Sequence, residues 1–230
     1  MSVSEQADAR KQAVAEHVLE RLLPSLSQDM ILGIGTGSTT NFFIDALAEH
    51  KSRFAACVVS SKASEARLSQ HDIPITDLRE VVSVPFYVDG ADECDPDFSL
   101  IKGGGAALTR EKIIASAADR FICIMDESKY VEQLGAFALP VEVIPMASAL
   151  IARKLDALGG RSVLREGCTT DNGNHILDVH DLRISNPFEL ETQINNLAGV
   201  VTCGLFAINA ADEVFMGTRS GVEALKRKHQ

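Results

Sequence analysis

The sequence predicts an α/β fold in which helices cover both faces of a parallel β-sheet, and three observations support this prediction. A chain of 230 residues with 46% hydrophobic and 23% charged side chains has the size and composition of one large globular domain or two smaller ones. Short segments that are apolar throughout alternate with amphipathic helical segments, which is typical of parallel sheets buried on both faces. Glycine-rich or acidic turns follow predicted strands, as in open α/β sheets that bind ligands at the carboxyl ends of their strands.

The first half of the chain contains alternating segments that predict helices and strands. Val14, Val18 and Leu22 recur at helical spacing and mark the apolar stripe of a first amphipathic helix, which Pro24 is expected to end. Buried strands are predicted at residues 30–35, 57–60, 73–75, 84–88 and 121–125. Helices are predicted among them at residues 41–50, 62–70 and 110–118.

A different order of elements begins near residue 135. Strands are predicted at residues 141–144, 161–165, 176–179 and 200–206, and helices at residues 147–158 and 187–196. The resulting order, β-α-β-β-α-β, is that of the ferredoxin-like fold. A last strand at 214–216 and a closing helix at 221–228 are expected to return to the first domain, so that the second domain is an insertion.

The charge and the cysteines exclude several classes of protein. A net charge of −10, from 22 Lys and Arg against 32 Asp and Glu, repels nucleic acid and anionic membranes. The five cysteines are odd in number and include no C-x-x-C pair, which argues against a disulfide framework or a zinc ribbon. The sequence shows neither a signal peptide nor an apolar run long enough to cross a bilayer, so we expect a cytoplasmic protein.

A glycine-rich turn follows the first predicted strand, with the sequence Gly-Ile-Gly-Thr-Gly-Ser-Thr-Thr at residues 33–40. It lacks the third glycine of a dinucleotide-binding turn and the lysine of a P-loop. The amides at the start of the next helix and the hydroxyls of Thr36, Ser38 and Thr39 suit a single phosphate group. The alternative is a simple helix cap after a tight turn.

Five acidic residues lie within the nine positions 89–97, at the end of a later strand. Asp89 and Asp92 could face the ligand crevice and hold sugar hydroxyls or transfer protons, while Glu93 and the later acids point to water. Two alternatives remain open. One is a metal site, although the spacing is not that of an EF-hand and no His lies nearby; the other is a solvated turn in which Asp95 and Asp97 act as caps.

Three consecutive glycines, Gly103, Gly104 and Gly105, follow Lys102 in a third turn. Because such a run is costly to order, close approach of the backbone to a ligand explains it better than an ordinary turn. Lys102 supplies a compact cation, and Glu111 lies near the start of the following helix, where it could project into the same crevice. The alternative for Glu111 is a partner for the helix dipole or for a neighbouring Lys.

Together these groups are the ones needed to move a proton between adjacent carbons of a sugar phosphate through an enediolate. Such a reaction uses a carboxylate base, a lysine that neutralises an oxyanion, further carboxylates for hydroxyl protons and a phosphate-binding turn. It needs no cofactor, and no residue pattern in the sequence requires a metal or a nicotinamide.

The motifs resemble those of the type A ribose-5-phosphate isomerase family: G-x-G-T-G-S-T at residues 33–39, V-D-G-A-D-E at 88–93 and K-G-G-G-A-A-L-T-R-E-K at 102–112. Segments at 121–129, 139–146, 170–179 and 199–206 also resemble that family, so the similarity covers nearly the whole chain. It implies reversible interconversion of ribose 5-phosphate and ribulose 5-phosphate in the non-oxidative pentose phosphate pathway, without a cofactor. It also implies a homo-oligomer, either a homodimer or a dimer of dimers.

The resemblance implies a role for each site residue. Glu111 would be the base that transfers a proton between C1 and C2. Asp89 would help to open the furanose ring or transfer hydroxyl protons, Asp92 would orient sugar hydroxyls, and Lys102 would stabilise the enediolate. The predicted substrate-binding residues are Thr36, Gly37, Ser38, Thr39, Gly90, Ala91, Gly103, Gly104, Gly105, Lys129 and Lys11.

The family's fold agrees with the predicted elements. It implies a Rossmann-like catalytic domain at residues 1–134 and 207–230, and an inserted ferredoxin-like α+β domain at residues 135–206 that is expected to contact another subunit. Two alternative functions belong to other classes. A non-catalytic sugar-phosphate sensor would need a DNA-binding module that the short segment before the first strand is not expected to contain, and a coenzyme A transferase relative would use a glutamate as covalent nucleophile.

Overall fold

The computed structural model describes residues 3–228, which form six α-helices and thirteen β-strands. The helices are α1 (Val3–Leu22), α2 (Ser38–Leu47), α3 (Lys62–Gln70), α4 (Leu108–Ala117), α5 (Ser148–Ala157) and α6 (Pro187–Asn195). The strands are β1 (Ile31–Ile34), β2 (Ala56–Val59), β3 (Phe86–Asp89), β4 (Glu93–Cys94), β5 (Leu100–Ile101), β6 (Phe121–Asp126), β7 (Leu139–Val143), β8 (Arg161–Leu164), β9 (His175–His180), β10 (Val200–Cys203), β11 (Leu205–Phe206), β12 (Glu213–Thr218) and β13 (Gly221–Ala224). Within residues 3–228, no helix has both the length and the hydropathy needed to cross a bilayer.

The larger sheet has six strands in the order β13-β12-β6-β3-β1-β2. Strands β12, β6, β3, β1 and β2 run parallel to one another, and β13 joins the edge in the antiparallel direction. The central strand β3 is buried along its whole length, as expected of a strand covered by helices on both faces. The prediction of a mixed α/β fold with a parallel sheet is therefore confirmed.

Hydrophobic clusters cover both faces of the larger sheet. On one face, α1 and α2 pack through residues such as Val18 and Phe43, which are completely buried. On the other face, Tyr87 of β3 packs with Ile114 of α4. Gly33 in β1 allows this close packing, because a Cβ there would lie 2.9 Å from the side chains of Ile114 and Tyr87. The contact brings α4 close to the middle of the sheet.

A second sheet forms where the chain leaves the larger sheet after β6. Its four antiparallel strands lie in the order β10-β7-β9-β8. Helices α5 and α6 pack on one face through side chains that include Val141, Ile151 and Ile194, all completely buried. The neighbouring side chain of Glu142 points to the other face, where it contacts Thr109 of α4. The chain returns to the larger sheet with β12, which pairs in parallel with β6.

A third sheet, formed by β11, β5 and β4, was not predicted from the sequence. Its strands have two residues each, which is too short for a recognisable periodicity. The strand predicted at 200–206 is in fact β10 and β11, which belong to different sheets and are separated by Gly204. A Cβ at Gly204 would lie 2.2 Å from the carbonyl oxygen of Lys102, so this close approach requires glycine.

The predicted closing helix at 221–228 is wrong. Residues Gly221–Ala224 form β13, which pairs with β12 across a two-residue turn. Gly221 adopts a φ of +133°, and its carbonyl accepts a hydrogen bond from Thr218 Oγ1 at 2.9 Å. In so short a segment the apolar residues fit either periodicity, and pairing with β12 decides the outcome. The strand predicted at 73–75 is reduced to a single bridge between Ile75 and Cys57.

Candidate active site

A cavity of about 380 Å³ lies at the carboxyl ends of β1, β3 and β6, the edge where open α/β sheets bind ligands. All three turns selected from the sequence contribute to its wall. The first turns of α1 and the turn after β6 complete it. The predicted site residues that line it are Lys11, Thr36, Gly37, Ser38, Thr39, Gly90, Ala91, Asp92, Lys102, Gly103, Gly104, Gly105, Glu111 and Lys129.

Lys102, Glu111 and Asp89 form a buried charged cluster at this cavity. Lys102 Nζ lies 2.7 Å from Asp89 Oδ2 and 3.3 Å from Glu111 Oε2, and it donates a hydrogen bond to the carbonyl oxygen of Gly90 at 2.6 Å. Lys102 and Glu111 line the cavity, although they are only 2% and 3% exposed. The ends of β3 and β5 and the first turn of α4 bring the three side chains together.

Glu111 has the properties of a proton acceptor. Burial raises its pKa to about 8, although the attraction of Lys102 acts in the opposite direction. Among the described residues, its Oε2 has the ion pair with Lys102 but no hydrogen bond. Burial alone would lower the pKa of Lys102, but Asp89 and Glu111 outweigh it and hold that pKa above its usual value. A carboxyl that titrates near neutral pH beside a fixed ammonium group suits general acid–base catalysis.

Asp89 was expected to face the crevice, but it does not line the cavity. It is completely buried behind the cavity wall, because its carboxylate is enclosed by the two turns that it holds. Its Oδ1 accepts hydrogen bonds from the amides of Thr36 at 2.9 Å and Gly90 at 2.7 Å, and its Oδ2 accepts one from the Tyr87 hydroxyl. A Cβ on Gly35 would lie 1.8 Å from the Asp89 carboxyl carbon. Asp89 thus positions two turns and Lys102.

Asp92 lines the cavity as predicted, and it also holds the glycine turn. Its Oδ2 accepts a hydrogen bond from the amide of Gly104 at 2.8 Å. A Cβ at Gly104 would lie 2.7 Å from Asp92 Oδ1, so a larger residue there would displace the Asp92 carboxylate. The position of Asp92 at the cavity wall leaves it able to meet a ligand as well.

The acids after Asp92 serve the structure of the turn. The prediction that Glu93 points to water is wrong: it is 4% exposed and accepts hydrogen bonds from the amides of Gly135 at 2.7 Å and Phe137 at 2.5 Å. The pairing of β4 with β5 turns it inward. Asp95 accepts from the amides of Asp97 and Ser99, both at 2.9 Å, as a turn cap does. No group of three potential ligands among residues 3–228 could hold a metal ion.

The turn after β1 presents a helix N-terminus to the cavity. Helix α2 begins at Ser38, and its N-cap is Gly37, with a φ of +129° and no side-chain cap. The first amides of α2 are therefore not capped by the N-cap side chain, which favours anion binding over the simple helix cap. The Thr36 hydroxyl is bound instead to the hydroxyls of Ser60 at 2.7 Å and Ser61 at 2.8 Å. These two serines were not predicted, because a short Ser-Ser pair after a strand carries no specific signal.

Three cations surround the outer part of the cavity. Lys11 and Lys129 were predicted, and both line it. Lys11 Nζ lies 3.2 Å from Asp8 Oδ1. Arg10 also lines the cavity and was missed; its Nε lies 3.7 Å from Glu127 Oε1. Its position on the charged face of an amphipathic helix gave no sign of this location. Lys11 and Arg10 each have one carboxylate partner, whereas Lys129 has no ion pair among the described residues. The rim therefore keeps a positive charge through Lys129 in a chain of net charge −10, which favours an anionic ligand.

Comparisons with known proteins agree with this geometry. The family model of ribose 5-phosphate isomerase A (phosphoriboisomerase A) matches residues 56–221. The structure of ribose 5-phosphate isomerase A from Neisseria gonorrhoeae is 44% identical, with 96% of this chain and 97% of that chain covered and a TM-score of 0.91. A D-ribose-5-phosphate isomerase in complex with phospho-erythronic acid is 40% identical, with coverages of 99% and 100% and a TM-score of 0.90.

A third structure, ribose 5-phosphate isomerase A from Methanocaldococcus jannaschii, is 38% identical. The match covers 95% of this chain and 98% of that chain, with a TM-score of 0.86. The three structural matches each cover at least 95% of this chain, and so include both larger sheets and the turns around the cavity. The chain therefore belongs to the ribose 5-phosphate isomerase A family.

Proposed function

We propose that this chain catalyses the reversible interconversion of D-ribose 5-phosphate and D-ribulose 5-phosphate through an enediolate, as part of the non-oxidative pentose phosphate pathway. The observation that carries this proposal is the pair of Glu111 and Lys102, 3.3 Å apart in the wall of a cavity with a positive rim. Family membership supports it over a sugar-phosphate sensor or a coenzyme A transferase relative.

Glu111 is the base of the proposed reaction. Its carboxylate removes the proton from C2 of the open-chain aldose, and the electron pair moves towards the C1 carbonyl to form the enediolate. The proton of the O2 hydroxyl passes to O1, so that the carbonyl forms at C2, and the same carboxyl group of Glu111 returns its proton to C1, which gives the ketose. A pKa of about 8 places this group near the operating pH of an ordinary cell, where a base can both accept and release a proton.

Lys102 stabilises the enediolate oxygen in this proposal. When Glu111 accepts the proton it becomes neutral, and the negative charge passes to the substrate oxygen. Lys102 Nζ lies between Glu111 and Asp89, so it remains close to the negative charge before and after this transfer. Because the ammonium group is already oriented by Asp89 and the Gly90 carbonyl, little reorganisation is needed in the transition state.

The other predicted residues bind substrate in this proposal. Asp92 orients sugar hydroxyls, and the amides of Gly103 and Gly105 lie beside the enediolate oxygens, because the Gly104 amide donates to Asp92. The amides at the start of α2, with Ser38 and Thr39, hold the phosphate together with Lys11 and Lys129. For Asp89 we propose a positioning role in place of the predicted contact with sugar, because no part of it is exposed.

We also propose that residues 135–206 form an inserted ferredoxin-like domain that contacts another subunit. The element order β7-α5-β8-β9-α6-β10 and the sheet order β10-β7-β9-β8 support this domain assignment. Large apolar side chains are exposed on this unit, among them Met146, Phe188 and Leu164. Exposed apolar groups of this kind favour a subunit interface, as in a homodimer or a dimer of dimers.

A coupled assay tests the proposed activity. Purified protein is given ribose 5-phosphate with no added cofactor, and ribulose 5-phosphate is measured. We expect turnover that survives exhaustive chelation, because no step requires a metal. Absence of turnover would contradict the function, and loss on chelation with restoration by one divalent ion would contradict the cofactor-free mechanism. Incubation with an acyl-CoA, followed by a search for a glutamyl thioester, tests the transferase alternative.

A further inference from the structure

The glycine turn at residues 103–105 has a backbone that needs external support. Gly103 adopts a φ of +106°, and Ala106, which follows the turn, adopts a φ of +59° that non-glycine residues rarely take. Three consecutive glycines lose more conformational entropy on ordering than other residues. Contacts from elsewhere in the chain must therefore stabilise the one orientation in which the turn faces the cavity.

Arg165 supplies such contacts from the second sheet. Its Nη1 donates hydrogen bonds to the carbonyl oxygens of Gly103 at 3.1 Å and Gly104 at 3.0 Å. Its Nε and Nη2 donate to the two carboxylate oxygens of Asp178 at 2.8 Å and 2.5 Å. Arg165 follows β8 and Asp178 lies in β9, so a paired strand holds the guanidinium group in place.

The geometry of the peptide group transmits this contact to the cavity side. In a trans peptide the C=O and N–H bonds point in opposite directions, and no cis peptide occurs among the described residues. Fixing the Gly103 carbonyl aims the Gly104 amide at Asp92, which accepts it at 2.8 Å. Fixing the Gly104 carbonyl turns the Gly105 amide away from Arg165, and Gly105 lines the cavity.

Arg165 is not placed to act on a ligand directly. It is absent from the cavity wall, and its charge is balanced by Asp178, so it adds little net potential there. Both side chains of the pair are about one-fifth exposed, at 20% and 19%. The guanidinium group matches this geometry because Nε and Nη2 bind the carboxylate side by side, while the two N–H groups of Nη1 are left to donate to the two carbonyls.

We propose that Arg165, held by Asp178, is a positioning residue that orients the glycine turn for stabilisation of the enediolate. The inference rests on the proposed isomerase function and extends it to a pair outside the cavity. It assigns to the second sheet a part in catalysis, namely to hold the amides of the turn where the oxyanion forms.

The chain contains a matched control for this proposal. Arg161, the first residue of β8, and Asp181, which directly follows β9, form another Arg–Asp pair at the opposite end of the same two paired strands, with Nε 3.2 Å from Oδ2. Their side chains are 63% and 73% exposed, and no hydrogen bond between Arg161 and the glycine turn is present among the described residues. The variants R165Q and R161Q thus remove the same group from neighbouring positions.

Steady-state kinetics with ribose 5-phosphate compares the two variants. We expect R165Q to lower kcat by about 10- to 100-fold, the effect of a small misplacement of catalytic groups, with KM changed less than about threefold. R161Q should keep the wild-type kcat. Inhibition by inorganic phosphate should be unchanged in R165Q, whereas inhibition by phospho-erythronic acid, whose carboxylate resembles the enediolate oxygens, should weaken. A merely structural role would not separate these two inhibitors.

A double-mutant cycle tests the part played by Asp178. D178N should lower kcat less than R165Q does, and R165Q/D178N should be no worse than R165Q, because Asp178 acts only through Arg165. Circular dichroism checks folding, and R165K replaces R165Q in every comparison if R165Q does not fold, since lysine cannot bind the carboxylate and both carbonyls at once.

Three results would overturn the proposal: a kcat for R165Q within twofold of that for R161Q, a loss confined to KM, or additive losses in the double variant. An inactive wild-type protein would instead contradict the proposed function itself, and with it the role of Arg165. Wild-type activity with an unaffected R165Q would contradict the role of Arg165 alone.

Discussion

Two buried glutamates, Glu111 in the first turn of α4 and Glu142 in the adjoining strand β7, have opposite surroundings. Glu111, 3% exposed, lines the cavity, and its Oε2 has an ion pair with Lys102 but no hydrogen bond among the described residues. Glu142 is completely buried and accepts hydrogen bonds from neutral donors. These are Thr109 Oγ1, Thr170 Oγ1 at 2.8 Å, Asn174 Nδ2 at 2.8 Å and Asn172 Nδ2 at 3.2 Å.

The difference shows that burial alone does not make a carboxylate a base. Glu142 accepts four hydrogen bonds, three at Oε1 and one at Oε2, and it does not line the cavity, so it has no route to a ligand. It joins the second sheet to α4 and to the loop at residues 170–174. Glu111 accepts few hydrogen bonds and lines the cavity. Burial disfavours its charged form, so it can exchange a proton with a substrate. The two glutamates are buried to a similar extent, and they differ in how many hydrogen bonds their carboxylates accept.

The largest expected effect is that of E111Q. We expect it to keep the fold and to lower kcat by about 10² to 10⁴, the usual contribution of a positioned general base. E142Q is the matched control, because it makes the same chemical change at the other buried glutamate. Turnover of ribose 5-phosphate measures both variants, and undiminished activity in E111Q would exclude Glu111 as the base.

K102A should follow, with a loss mainly in kcat of about 10² to 10³, since the oxyanion exists only near the transition state. Removing this cation also leaves Asp89 and Glu111 buried without their partner, which should cost about 3–5 kcal/mol of stability. Thermal unfolding and steady-state kinetics on the same preparation separate the two effects, and K102M, which restores volume, is the second variant. A change in KM alone would reassign Lys102 to binding.

E142Q should affect stability more than chemistry. The amide oxygen of Gln can replace Oε1, but its NH₂ then faces Thr109 Oγ1, which now donates to Oε2, and the charge that the other three donors bind is lost, so we expect unfolding to become easier by about 1–3 kcal/mol. Its kcat should stay within about threefold of the wild-type value, because the residue is outside the cavity. Urea denaturation gives the first quantity and the isomerase assay the second. A hundredfold loss of kcat in a stably folded E142Q would remove the contrast between the two glutamates.

The smallest effects concern pH. The carboxylate form of Glu111 is the active one, so kcat/KM should rise with pH and reach half its maximum near the pKa of about 8. Between the usual glutamate pKa of 4.5 and 8, the folded chain keeps a proton on Glu111 that the unfolded chain has lost. Stability should therefore fall as pH rises through this range.

E111Q removes this titration, so its melting temperature should decline less between pH 5 and pH 8.5 than that of the wild-type protein. E142Q should keep the wild-type pH–rate profile, because Glu142 does not line the cavity. Equal slopes in E111Q and the wild-type protein would show that the raised pKa of Glu111 does not contribute to stability.

Much of the fold and of the candidate site could be predicted from local patterns. The strands of the larger sheet appeared as apolar runs, such as the one at residues 121–125, because both of their faces are covered. The residues of the cavity wall appeared because phosphate-binding turns and glycine runs have recognisable composition. Gly221–Ala224 was misassigned because a short segment without strong periodicity takes its structure from its neighbour β12. Arg10 and Ser61 were missed since such residues are common on any surface.

Residue types and their spacing were sufficient to predict the α/β class and the edge of the sheet that carries the cavity, and the family resemblance added the prediction that Glu111 and Lys102 are the central pair. Folding decided which polar groups are enclosed: it placed Asp89 behind the wall, turned Glu93 inward and brought Arg165 to Gly103, 62 positions away. The reason is that periodicity and turn chemistry act between near neighbours in the chain. The burial of a charge and the saturation of its hydrogen bonds depend instead on groups that only the packed molecule brings together.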